Sequence, residues 1–96
     1  MKEVGLAFYY REQWDKIRSY SKDRANMAKS YDDWLAGAEK KIKELESQGY
    51  TVNRTYIDVN MLVAWAKRNR LKIDGKTRSD FANHLMANRH GFTDNI

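Results

Sequence analysis

The chain has 96 residues, of which 42% are hydrophobic and 12% aromatic, and it carries a net charge of +5. This length suffices for one domain with one core, and so many large apolar side chains are not typical of a disordered chain. The absence of cysteine excludes disulfides, thiolate metal sites and cysteine nucleophiles. We predict a single compact domain over residues 1–96, with a frayed tail at 92–96.

The N-terminal segment combines two periodicities. Residues 4–8 alternate large apolar side chains with small residues, which suits a short strand, although a helix over the same residues stays an alternative. From Tyr10 onward the large apolar side chains recur at helical intervals, so we predict a helix over residues 9–20. Asp23 is a candidate N-cap for a further helical turn, because its short carboxylate can accept free backbone N–H groups.

A long amphipathic helix follows. Its apolar stripe consists of Met27, Tyr31, Trp34, Leu35, Ala38, Ile42 and Leu45. Charged side chains occupy the other faces, as expected for a helix with one buried side. The helix is predicted to start at either Asp23 or Ser30, both of which suit an N-cap. It is predicted to end at Gly49, since glycine adopts the left-handed conformation that closes a helix.

A change to period two after Gly49 predicts a strand over residues 51–57, where β-branched and aromatic side chains are frequent. A lone strand leaves its backbone hydrogen-bonding groups unpaired. We therefore expect this strand to pair with residues 4–8, or with its own copy across a homodimer.

Two helices complete the chain. Asp58 suits the N-cap of a helix over residues 59–69, whose centre MLVAWA is apolar on nearly every side and predicts the most buried helix. A polar connection with an Asp74–Gly75 turn leads to a helix over residues 76–89, which Gly91 ends. The inward side chains of this last helix are predicted to be Phe81, Ala82, Leu85 and Met86.

No proline occurs in the chain, so nothing interrupts these helices from within. The predicted fold is mainly α, with α+β as the alternative, and has about four helices around one core plus the short strand. Trp14, Trp34 and Trp65 lie on the apolar stripes of separate helices, and we expect them to meet in that core.

The positive charge is concentrated between the last two helices. Residues 50–96 carry a net charge of +4. The cations of this connection are Lys67, Arg68, Arg70, Lys72, Lys76 and Arg78. Asp74 is the only acid within their span, and such a patch favours nucleic-acid phosphates or an acidic protein surface as the partner. A solvated corner without a partner is the alternative.

The stretch TVNRTYIDVNMLVAWAKRNRLKIDGKTRSDFANHL (51–85) places a strand, a helix, a basic turn and a second helix in order. This order, with arginine and serine before the second apolar helix, resembles the ribbon-helix-helix repressors over about a third of the chain. The resemblance implies a homodimer whose paired strands enter the major groove of DNA, with Thr51, Asn53 and Thr55 pointing to the bases.

Two further interpretations use the same segment. In a helix-turn-helix arrangement, Arg78, Asn83 and His84 would contact bases from the last helix, since arginine suits guanine and asparagine suits adenine. In a protein–protein adaptor, either the basic turn or a strand face would bind the partner. That strand face consists of Tyr50, Arg54 and Tyr56.

Enzyme chemistry is not indicated. His84 and His90 are spaced too far apart to be neighbours on one helix face, and no glycine-rich phosphate loop, dinucleotide fingerprint or zinc-ligand spacing occurs. We therefore predict a small non-enzymatic binding protein, without cofactor or metal, that contacts nucleic acid through the basic turn. The apolar runs, such as MLVAWA, are too short to span a bilayer, so we expect a cytoplasmic location without membrane contact.

Overall fold

The computed structural model describes residues 2–94 of the chain, with side chains as far as residue 88. Its regular elements are β1 (Lys2–Tyr9), α1 (Trp14–Tyr20), α2 (Tyr31–Ser47), β2 (Tyr50–Ile57), α3 (Val59–Arg68) and α4 (Gly75–Asp94). Two short 3₁₀ turns, Arg11–Gln13 and Arg24–Asn26, precede α1 and α2. The prediction of a mainly helical fold with some β structure is confirmed.

The two strands form a parallel two-stranded sheet. Their register runs from Lys2 opposite Tyr50 to Tyr9 opposite Ile57. Parallel strands need a long crossover connection, which α1 and α2 supply here. Of the two partners predicted for β2, the structure contains the one within the same chain. In a two-stranded sheet each strand also has an outer edge that the other strand does not cover. Pairing with a second copy of the chain at such an edge stays a prediction.

The sheet lies between α2 and α4. On one face, a Cβ atom at Gly5 would lie 3.0 Å from Sδ of Met86 in α4, so glycine permits this close approach of helix and strand. On the other face, the Phe8 ring packs edge-on against Trp34 of α2, with ring centroids 5.0 Å apart. Residues opposite one another in the register share a face, which places Asn53 of β2 on the α4 side.

The largest buried cluster lies mainly between the sheet, α1, α3 and α4. Its members are Tyr9, Trp14, Ile17, Ile57, Val59, Leu62, Ala66, Ile73, Phe81 and Ala82. Helix α3 contributes only one face to this cluster, since Leu62 is fully buried while the adjacent Met61 is 56% exposed. Helix α3 is therefore amphipathic in its burial, although nearly all side chains at its centre are apolar. Of the four residues of α4 that were predicted to point inward, Phe81 and Ala82 are buried, and Leu85 and Met86 are half-buried.

Local hydrogen bonds set several element boundaries. Ser30, rather than Asp23, caps α2, because its Oγ accepts the Asp33 backbone N–H at 3.1 Å. The Asp58 carboxylate caps α3 as predicted by accepting the Met61 N–H at 3.0 Å. Asp74 caps α4 through the Thr77 N–H at 2.9 Å, so the predicted turn is also the helix start.

Two predicted boundaries are wrong. The first helix begins at Trp14 instead of residue 9, because Tyr9 completes β1 and Tyr10 keeps an extended backbone. The last helix continues through Gly91 to Asp94, since an interior glycine costs a helix only about 1 kcal/mol. Of the predicted frayed tail, residues 95 and 96 lie outside the described part of the chain.

Two glycines at α2 are expected to respond oppositely to the same substitution. Gly49 follows the helix with φ of +92°, whereas Gly37 lies within the helix, and no atom would obstruct a Cβ at either site. We expect Gly49→Ala to lower the free energy of unfolding by about 1 kcal/mol, because left-handed backbone disfavours a Cβ. Gly37→Ala should raise it by about 0.5–1 kcal/mol through helix propensity. Urea unfolding of both variants checks the pair, and a shift of the same sign in both would contradict this account.

Candidate nucleic-acid interface

Four of the six predicted cations form an exposed surface at the junction of α3 and α4. The members of this surface, called the basic corner below, are Lys67, Arg68, Arg70 and Lys72, all of which are exposed. Among the described residues, no acidic side chain forms an ion pair with any of them. Lys76 lies in the first turn of α4, where its Nζ is 2.8 Å from Oδ2 of Asp80. Its charge is therefore partly offset, although the side chain is exposed.

The backbone of the basic corner is held by a hydrogen-bonded helix terminus. The Leu71 N–H donates to the Ala66 carbonyl at 2.9 Å, and the Arg70 N–H donates to the Lys67 carbonyl at 3.2 Å. Arg70 itself has a left-handed backbone, with a φ of +55°. This pair of bonds is the Schellman motif that ends many helices, usually with glycine in the left-handed position. The corner thus presents its cations from a defined turn instead of an open loop.

Arg78, the sixth predicted cation, is not part of this surface. Its side chain is only 8% exposed and lies against the segment after α1. Nη1 and Nη2 donate to the two carboxylate oxygens of Asp23 at 2.9 and 3.0 Å, and Nε donates to the Tyr9 hydroxyl at 2.9 Å. Nη1 also donates to Oγ of Ser21. Because its guanidinium is buried and engaged by these partners, Arg78 does not lie at the surface where the predicted phosphate or base contact would be made.

Hydrogen bonds and burial shift the acid–base equilibria of this cluster. The hydrogen bonds from the Arg78 guanidinium lower the pKa of the Asp23 carboxyl. Burial raises the pKa of the Tyr9 phenol. Asp23 and Arg78 therefore form a charged pair at neutral pH, beside a phenol that keeps its proton. Asp23 precedes the Arg24–Asn26 turn at the predicted N-cap position, but its side chain makes no capping hydrogen bond there. Its carboxylate is instead engaged by a residue 55 positions later.

A groove of about 270 Å³ lies beside the basic corner, between α3 and α4. Its lining residues, called the aromatic groove below, are Met61, Ala64, Trp65, Arg68, Phe81, His84, Leu85 and Asn88. The Trp65 ring centroid lies 5.2 Å from that of Phe81 and 5.6 Å from that of His84. Arg68 belongs to both surfaces, so it joins a cationic site to an aromatic one.

Trp65 was predicted to be a core residue, and the aromatic groove was not predicted from the sequence. Trp65 is half-buried, and its ring contacts residues of α4. A sequence signal was nevertheless present, because Trp65 and Arg68, and likewise Phe81 and His84, are three residues apart. That spacing places both members of each pair on one side of a helix.

Five further residues were predicted to contact bases or a protein partner, and they lie outside the basic corner, on the sheet and on α4. They are Thr51, Asn53, Arg54, Thr55 and Asn83. Arg54 forms an ion pair with Glu39 of α2 at 3.2 Å. Nδ2 of Asn53 donates to a Glu3 carboxylate oxygen at 3.3 Å, and the Thr55 hydroxyl donates to Oδ1 of Asn53 at 3.1 Å. Asn53 and Thr55 are half-buried on the sheet face that α4 covers. In a ribbon-helix-helix protein that face would be open to DNA.

The remaining two of those residues, Thr51 and Asn83, are exposed. Asn83 lies on α4 near the strand, since its Oδ1 would be 3.4 Å from a Cβ at Gly5. In the helix-turn-helix interpretation it would act with Arg78 and His84. Because Arg78 is buried, the three predicted base contacts do not share one accessible surface.

No three histidine, aspartate or glutamate side chains among residues 2–88 cluster closely enough to hold a metal ion. Within the described part of the chain, no helix has the length and apolar character needed to cross a bilayer.

Comparisons with protein-family models, curated protein sequences and solved structures gave no match to this chain.

Proposed function

We propose that this chain is a non-enzymatic protein that binds single-stranded nucleic acid. The basic corner contacts the phosphates, and the aromatic groove receives a base. The main support for the proposal is the position of Arg68, which lines the aromatic groove and also belongs to the basic corner. A phosphate bound there would hold its own base within reach of Trp65 and His84.

The charge arrangement supports phosphate binding. Four exposed cations without acidic partners in the described chain lie within six positions of one another. Each phosphate contact with a single strand releases condensed counterions and contributes about −0.7 to the slope of log affinity against log salt. Four contacts predict a slope of about −2.8 on the same scale. A solvated corner without a partner would give no binding and hence no slope.

The aromatic rings favour a single strand over a duplex. In a duplex the faces of the bases are covered by their neighbours, whereas a single strand can place a base against an aromatic ring. Trp65 and His84 lie in the groove, with Arg68 at hand for a cation–π contribution. Stacking of one base on such a ring contributes about 1–3 kcal/mol.

The test measures anisotropy of a labelled oligothymidylate across a salt series. The double variant Arg68→Glu/Arg70→Gly should flatten the salt slope by about half, since it removes two of four contacts at about −0.7 each. Glycine is chosen at Arg70 because it suits the left-handed backbone there. The matched control, Lys40→Glu/Lys43→Gln, changes the net charge equally at two exposed positions of α2.

A second variant tests the groove separately from the charge. Trp65→Leu keeps an apolar side chain but removes the stacking ring, so affinity for the oligothymidylate should fall by about tenfold at constant slope. Equal affinity for duplex and single strand would contradict the role of the groove. No binding of either at low salt would end the nucleic-acid proposal.

A second candidate function is that of a protein–protein adaptor, and the surface aromatic pair Tyr10 and Tyr56 favours it. These side chains are 40% and 46% exposed, and their ring centroids lie 5.1 Å apart. Exposed tyrosines are common anchors of protein interfaces. The predicted face of Tyr50, Arg54 and Tyr56 supports this candidate less, because Arg54 is occupied by Glu39. Failure of nucleic-acid binding would make this surface the next to test. A cytoplasmic location and a homodimer stay predictions under either function.

A further inference from the structure

A groove of about 390 Å³ lies beside β2. Its lining residues, called the strand groove below, are Arg54, Thr55, Tyr56, Leu85 and Met86. The first three are consecutive in β2, and consecutive side chains of a strand point to opposite faces. The groove therefore reaches the strand backbone around Thr55. The basic corner contributes no residue to it, and only Leu85 also lines the aromatic groove, so the proposed function leaves the strand groove unused.

The outer edge of β2 is open to a further strand. Within the described part of the chain the sheet has two strands, and β1 pairs with the other edge of β2. Helix α4 lies nearer to β1, where Sδ of Met86 would be 3.0 Å from a Cβ atom at Gly5. An unpaired strand edge presents N–H and C=O groups that can bind a second strand. The backbone at the strand groove is therefore a candidate site for strand addition.

The features that usually prevent pairing at a strand edge are weak in β2. Proline and charged side chains are common protective features, but β2 contains no proline and its only charged residue is Arg54. Nη2 of Arg54 lies 3.2 Å from Oε2 of Glu39 in α2, which offsets this charge. Beside the edge, Tyr56 is 46% exposed, and Leu85 and Met86 are half-buried. A second strand would pair the backbone and cover apolar surface at the same place.

We infer that two copies of the chain join through β2, in antiparallel orientation, about a two-fold axis at Thr55. Two-fold symmetry is the commonest arrangement of identical chains, and Thr55 is the middle one of the three strand residues in the strand groove. An axis perpendicular to the sheet leaves equivalent side chains on the same face. Thr55 therefore opposes Thr55 of the second copy, and Arg54 opposes Tyr56 of the second copy.

The chemistry of the opposed residues favours a second copy as the occupant. Paired threonines are favourable across antiparallel strands, and a guanidinium beside a phenol ring gains a cation–π contribution. An axis at Arg54 would instead place two like charges directly opposite each other, which is unfavourable. Because the strand groove of each copy contains Thr55, the two grooves meet across the axis. Leu85 and Met86 of both copies then flank one joined groove.

Sedimentation equilibrium of the full chain over a concentration series measures this dimerisation. A reversible monomer–dimer equilibrium is expected, and Thr55→Lys should weaken it by about fivefold, because like charges directly opposite are destabilising. The matched control is Thr51→Lys, which adds the same charge on the same strand face but lies beyond the paired segment in the inferred register. A chain that stays monomeric up to millimolar concentration would overturn the inference, and so would equal weakening by both variants.

Cysteine cross-linking tests the register and does not depend on whether Thr55→Lys folds. The chain has no cysteine, so each single-cysteine variant carries one thiol. Oxidation by Cu(II)–phenanthroline should link Thr55→Cys into a disulfide dimer, because opposed Cβ atoms lie about 4.5–5.5 Å apart, close to the separation in a disulfide. Thr51→Cys should link much more slowly. Equal rates in these two variants would overturn the inference by indicating random collision, and faster linking of Asn53→Cys or Arg54→Cys would overturn the inferred register.

Discussion

Replacing Arg78 with methionine is expected to lower the free energy of unfolding by about 3 kcal/mol, the lower end of the range for breaking a buried ion pair. Methionine retains much of the side-chain volume but leaves the Asp23 carboxylate, the Tyr9 hydroxyl and the Ser21 hydroxyl without their common donor. The lower end applies because Asp23 is 30% exposed, so water can partly replace the lost partner.

Urea unfolding followed by tryptophan fluorescence measures this loss. The control is Lys76→Met, two positions earlier on α4, where the side chain is exposed and its pair with Asp80 lies at the surface. Such a surface pair contributes about 0–1 kcal/mol. Similar losses in both variants would mean that the Arg78 cluster contributes little, and that its burial has no special structural role.

The same ion pair makes stability depend on pH in a defined direction. The pKa of Asp23 is lowered in the folded state by the hydrogen bonds from Arg78. Its contribution to stability is therefore complete above the ordinary carboxyl pKa of 3.8, and is lost as pH falls through the lower folded pKa. This part of the acid sensitivity should be smaller in Arg78→Met, because the carboxyl then lacks the main group that lowers its pKa and keeps only its backbone hydrogen bonds.

Leu62→Ala is expected to lower the free energy of unfolding by about 3 kcal/mol, within the range of roughly 2–5 kcal/mol for truncating a core leucine. Leu62 is fully buried in the cluster between the sheet and the helices. The loss combines the transfer of apolar surface to water in the unfolded state with the cavity that remains.

The neighbouring position supplies a matched control. Met61 is on the same helix but is 56% exposed, so Met61→Ala should change the free energy of unfolding by less than about 0.5 kcal/mol, as surface substitutions usually do. Thermal or urea unfolding of both variants separates burial from helix propensity. An equal loss at both positions would contradict the amphipathic arrangement of α3.

The helix termini illustrate what local chemistry can predict. Ser30 and Asp58 were candidate caps because their short side chains can accept backbone N–H groups, and both do so. Gly49 was expected to close α2 and has the left-handed backbone required there. These predictions needed only neighbouring residues. Asp23 was the other candidate N-cap of α2, and its carboxylate pairs instead with Arg78 of α4.

Arg78 shows why the candidate site was only partly predictable. In the sequence it is one of the six cations between residues 67 and 78, and no neighbouring residue distinguishes it from Lys76. The position of Asp23, 55 residues away, is what makes Arg78 a buried structural residue. The aromatic groove has the same origin, because Trp65 lines a surface only through the way α4 lies against α3.

The sequence by itself determined the elements of this protein: a period-two segment becomes a strand, a 3.6-residue stripe becomes a helix, and short polar residues or glycine end them. These features depend on the backbone and on side chains a few positions apart. The tertiary structure alone decided that β1 pairs in parallel with β2, that Arg78 lies inside, and that Trp65 meets Arg68 at a surface. Such outcomes depend on which distant side chains share a contact, and the spacing of residues along a chain does not contain that information.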